Sequence, residues 1–208
     1  MRIVHHPDVA TLMTCSAGSQ PEALCAVVTS HLAMCSDCMR ELSVLEEIGV
    51  GLFECSASDQ NVTACSVAGT AETFDQIRGS NSEPVKGDVP WPLIPVIGHF
   101  LDAVQWTEVQ PGISTYAIPL SSNAKGDLRL LRLEPRARLP EHGHVGEELA
   151  LVLRGSCSDE SGSFDVGDMS DLDDDMRHSV LAGPNGCIIL LASETKPAFL
   201  AELAQSDS

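Results

Sequence analysis

His142-Gly-His144-Val-Gly-Glu-Glu148 sets two imidazoles and a carboxylate at strand spacing, and His31-Leu-Ala-Met-Cys35-Ser-Asp-Cys38, more than a hundred residues earlier, sets an imidazole and two thiols at helical spacing. Alternate residues of a strand point to one side. His142 and His144 therefore face together, Glu148 keeps their parity, and Glu147 points away. On a helix, residues four apart share a face, so His31 and Cys35 project together and Cys38 adds a donor one short turn later. Histidine is scarce, with seven in 208 residues, yet His5, His6, His31, His142 and His144 all fall in or near these segments. Two chemically different donor sets on two kinds of secondary structure imply two domains with different tasks.

Around the first segment the chain reads as helical over residues 8–54. Leu12 and Met13 begin an apolar face that Gly18 can end. Ser19 reads as the N-cap of a second helix with Pro21 and Glu22 in its first turn, and Leu24, Val27, Val28, His31 and Leu32 form one face of it. A third helix runs from Asp37 with Met39, Leu42, Leu45 and Ile48 on one side, weakened at its end by Gly49 and Gly51. Thr70 to Arg78 forms a short fourth helix closed by Gly79. The run Gly79-Ser-Asn-Ser-Glu-Pro-Val-Lys-Gly-Asp-Val-Pro-Trp-Pro is then a linker. Beyond it Gly126–Glu134, Leu149–Leu153 and Cys187–Leu191 read as strands punctuated by turns, as in a sandwich or barrel. The expected division is a helical domain over 1–79, a linker over 80–92 and an all-β domain over 93–208.

Three donors in His-x3-Cys-x2-Cys need a fourth to close a tetrahedral zinc site, and His5 and His6 are both available; spacing does not choose between them. A small helical unit with a modest core gains most from such a staple. The pattern His5-His6, then His31-x3-Cys35-x2-Cys38, resembles zinc-binding anti-sigma domains. That resemblance implies His6, His31, Cys35 and Cys38 as zinc ligands. It also implies a bundle of three to four helices that wraps an extracytoplasmic-function sigma factor and blocks its access to RNA polymerase.

The second segment, followed by Gly155, resembles the first motif of the cupin superfamily, whose fold is a β-barrel or jelly roll. His178, eleven residues after Gly167, matches the third imidazole of the second motif. By this resemblance His142, His144, Glu148 and His178 hold a divalent metal, with zinc the first choice and manganese, iron, nickel or copper compatible with the donors. The chain departs from the pattern in its turns. Arg136 stands where a glycine is expected, and Asp173 and Asp175 replace a proline and a glycine.

Thirty acidic residues against twelve basic ones give a net charge of −18, which repels nucleic acid and favours a basic protein partner. No apolar run is long enough to span a membrane, and the first residues lack a signal-peptide core, so the expected compartment is the cytoplasm. There the eight cysteines should be reduced or metal-bound; Cys25, Cys55 and Cys65 read as packing thiols and Cys187 as part of a buried strand. The two resemblances together cover almost the whole chain and point to anti-sigma factors of the ChrR type. In these the helical domain inhibits the sigma factor, and the cupin domain is needed for the response to singlet oxygen or other oxidants such as organic peroxides. The competing expectation is a metal-dependent cupin dioxygenase with a helical regulatory or dimerisation domain.

Overall fold

A computed structural model describes residues 2–57, 87–143, 145–172 and 177–197, with backbone alone for 49–57. Three helices open the chain: α1 (Val9–Ser16), α2 (Glu22–Leu32) and α3 (Ser36–Ala57). Asp8 caps α1 by accepting the Thr11 amide at 2.7 Å. Gly18, at φ +66°, ends that helix in the left-handed conformation that glycine adopts without penalty. Ser19 does not start α2: its hydroxyl donates to the Thr14 carbonyl at 3.1 Å, and Pro21 takes the N-cap position with no side-chain bond. The helix α3 continues through Gly49 and Gly51, and Ile48, expected on its inner face, is 54% exposed. The expected helix over Thr70–Arg78 lies outside the described residues.

Residues 80–86 of the expected linker are also outside the described set. Residues 87–92 pack against the β domain. Val89 is buried, and the Asp88 carboxylate accepts the Leu101 amide and pairs with Arg154. A 3-10 turn (Trp91–Leu93), a single helical turn α4 (Ile94–Ile97) and a second 3-10 turn (Leu101–Ala103) lead into the strands.

The strands are β1 (Thr107–Gln110), β2 (Ile113–Ala117), β3 (Asp127–Leu133), β4 (Arg138–Gly143), β5 (Glu148–Ser158), β6 (Ser163–Asp165), β7 (Met169–Leu172) and β8 (Arg177–Ser193). All pairings are antiparallel, in the order β1-β2-β3-β8-β5-β6, with β4 also on β8 and β7 also on β5. Alternate residues of the central strands feed two cores. Leu131, Leu133, Val152, Ile189 and Leu191 pack inside the barrel. Leu128, Leu130, Leu149, Leu151, Ile188 and Leu190 face outward and pack with Leu12, Leu24, Val27 and Val28 of the helices. With both faces covered, these strands read as continuous apolar runs and not as alternating ones. The helical and β parts therefore share one core.

Cys15 and Cys25 are joined as a disulfide that ties α1 to α2. This corrects the expectation of reduced cysteines throughout and of Cys25 as a packing thiol. Spacing hides the pair, because the two residues meet only when the α1–α2 turn closes. Cys157 and Cys187 are free and buried. Cys55 and Cys65 lie where no side chain is described.

Candidate metal centres

The first cluster forms where α2 hands over to α3. The chain leaves α2 with the Cys35 amide on the His31 carbonyl at 2.8 Å, and α3 begins with the Cys38 amide on the Cys35 sulfur at 3.5 Å. His31, Cys35 and Cys38 are buried, and the exposed His6 closes the cluster from the solvent side. His6 Nδ1 lies 3.2 Å from Cys38 Sγ and 3.5 Å from Cys35 Sγ, and His31 Nε2 lies 3.3 Å from Cys38 Sγ. Tetrahedral Zn–S and Zn–N bonds imply donor separations of about 3.5 Å, so two imidazoles and two sulfurs at these distances suit that ion. His5 is turned elsewhere: its ring stacks on Phe164 and lies 3.6 Å from the Asp168 carboxylate.

Burial acts in opposite senses on the two kinds of donor. Burial pushes His31 down to about 4, only partly offset by the bond from Nδ1 to the Gly167 carbonyl at 2.9 Å. With its Nδ1 proton committed there, Nε2 presents its lone pair on the side of Cys38, where it can accept from the thiol or ligate a metal. Burial, and then the neighbouring Cys35, push the Cys38 thiol up.

The second cluster lies inside the barrel. A register shift between Leu139 and His142 in β4 sets His142 opposite His178 of β8, and both point inward. Glu148 begins β5, and its parity sends it inside, whereas Glu147 turns out and accepts from Gln20 at 3.2 Å. His142, Glu148 and His178 bring donor atoms within 4.8 Å of one another. His142 Nδ1 donates to the Pro140 carbonyl at 2.9 Å, and His178 Nδ1 donates to the Asp159 carboxylate at 3.0 Å. These bonds assign both Nε2 atoms as lone-pair donors, and the two face each other at 3.2 Å. Two facing nitrogens at this distance can be bridged by a proton or by a metal ion, and with Glu148 beside them this donor set fits a metal. His144, the remaining expected ligand, lies outside the described residues.

Asp159 escaped sequence reasoning. Burial opposes its charge, but Ser161, His178 and the Gly162 amide outweigh that and hold the carboxyl below its ordinary range. Asp159 thus orients His178 as a carboxylate–histidine pair. The described residues leave a cavity of about 40 Å³ beside this cluster, lined by Leu131, Leu139, Val152, Phe164 and Val180.

Residues 97–196 match the family model for the ChrR cupin-like domain. The anti-sigma-E factor ChrR of Cereibacter sphaeroides is 31% identical over 214 residues, covering 99% of this chain and 98% of that protein. The chain belongs to the ChrR family. A solved structure of Rhodobacter sphaeroides SigE in complex with the anti-sigma ChrR matches with a TM-score of 0.74 and 30% identity. That match covers 92% of this chain and all of the ChrR chain, so this family member shares the helical part as well as the cupin.

Proposed function

We propose that this chain is an anti-sigma factor that sequesters an extracytoplasmic-function sigma factor in the cytoplasm and blocks its access to RNA polymerase. The observation that carries this reading is the likeness to ChrR along nearly the whole chain, helical part included. Residues 1–79 would bind the sigma factor, with zinc on His6, His31, Cys35 and Cys38 holding α2 and α3 in place. α1 and α3 expose apolar side chains, Val9 and Met13 on one and Val44 and Ile48 on the other, as an unpartnered binding unit would. No described helix is long and apolar enough to cross a membrane.

Residues 93–208 would act as the oxidant-responsive part. His142, His144, Glu148 and His178 would hold a divalent metal there, zinc first, with manganese, iron, nickel or copper as alternatives. Such an ion supplies a Lewis-acidic or redox-active centre for an oxidant such as singlet oxygen or an organic peroxide.

The test is co-purification of the full chain with a sigma factor encoded in the same organism, with zinc measured on the same samples. The wild type should retain the sigma factor and zinc, His31→Ala should lose both, and Ile48→Asp should lose the sigma factor while keeping zinc. Failure of the wild type to bind any sigma factor, with metal still in the barrel, would turn the assignment toward an enzyme.

A further inference from the structure

The arm that carries His6 is bonded to the barrel. Asp168, in the turn between β6 and β7, is 3% exposed. Its Oδ1 accepts the amides of Val4 at 2.6 Å and His5 at 3.0 Å, and its Oδ2 accepts that of Asp165 at 2.9 Å. The next residue, Met169, donates its amide to the His5 carbonyl at 3.1 Å. Gly167 sits at φ +92°, and a β-carbon there would come 2.6 Å from Cδ1 of Ile3, so the arm lies directly on the turn. The carbonyl of Gly167 is also the acceptor for His31 Nδ1. One turn of the barrel thus supports both imidazoles of the helical cluster.

We propose that the β6–β7 turn is a working part of the zinc centre: Asp168 is a positioning residue that presents His6 to the metal, and the Gly167 carbonyl sets the ring of His31. This rests on reading the cluster as a zinc site. A free arm would give up most of its conformational freedom on binding, whereas an arm already held by three hydrogen bonds gives up little. Asp168 suits the task. Burial opposes its charge, yet the amides of His5, Asp165 and Val4 prevail, and the carboxyl stays ionised below its ordinary range. Partners that orient metal-bound histidines change affinity by about 10- to 100-fold when removed.

The experiment uses the full chain as wild type, Asp168→Ala, Asp168→Asn and His6→Ala. Zinc loss to a chelator is timed, and the cobalt form is read by its thiolate-to-metal absorption and d–d bands. Asp168→Ala should speed zinc loss by about 10- to 100-fold and move the cobalt spectrum toward that of His6→Ala. Asp168→Asn should fall between, because its amide keeps one acceptor but turns a donor toward the Asp165 amide. Unchanged barrel metal content identifies variants that have folded, and Asp168→Asn keeps the test open should Asp168→Ala not fold. Wild-type rates and spectra in the folded variants would overturn the inference while leaving the zinc reading intact. A wild type without thiolate absorption would overturn both. Sigma-factor binding plays no part in these readouts, so their failure is distinct from failure of the anti-sigma assignment.

Discussion

Arg136 holds φ +62°, the one positive value outside glycine among the described residues, at the position where the cupin pattern expects glycine. The turn has kept its backbone shape and lost the residue that adopts it freely. A left-handed residue with a β-carbon costs about 1–2 kcal/mol, and glycine returns part of that as unfolded-state entropy. Arg136→Gly should therefore stabilise the protein by about 0.5–1 kcal/mol, seen as a higher urea midpoint at unchanged slope. Cys38 gives a second expectation. Its thiol is pushed up by burial and by Cys35, so it carries a proton when metal-free and must lose it to bind zinc. Apparent zinc affinity should rise with pH, by about tenfold per unit for that proton alone. His31, pushed down to about 4, is neutral near neutrality and adds no slope there. Competition titrations around neutral pH will show this, and a flat profile would contradict it.

At the scale of elements, the features carried by local pattern were legible. The face of α2 follows its three- and four-residue spacing, and the apolar runs of β5 and β8 announce strands buried on both sides. His178 was legible only through the cupin resemblance, by its interval from Gly167, and the structure sets it opposite His142. What escaped was what only tertiary closure creates. Cys15 and Cys25 become partners when α1 and α2 fold over Gly18. Asp159 and Asp168 are two acids among thirty, and nothing in their spacing ties them to a histidine. Ser19 was a fair N-cap by type, but the α1 carbonyls reach it first. Ile48 has helical periodicity yet is exposed among the described residues, a difference that periodicity alone does not show.

Across the whole molecule, the division into two domains is one of composition more than of packing. Ala23, Leu24, Val27 and Val28 of α2 are fully buried, in the same core as outward-facing residues of β3, β5 and β8. Separating the two parts would bring that surface into water. The strand β8 is the spine of the arrangement: it pairs with β3, β4 and β5, and it carries both His178 and the residues that receive α2. Amide hydrogen exchange would read this directly. The centres of α2 and β8 should exchange at one shared, slow rate set by global unfolding, because neither can open without uncovering the other. Faster exchange in α2 alone would show that the helices lift away as a unit. Under the proposed oxidant response, the same comparison before and after an oxidant tests whether the helices part from the barrel: they would then take up deuterium while β8 stays closed.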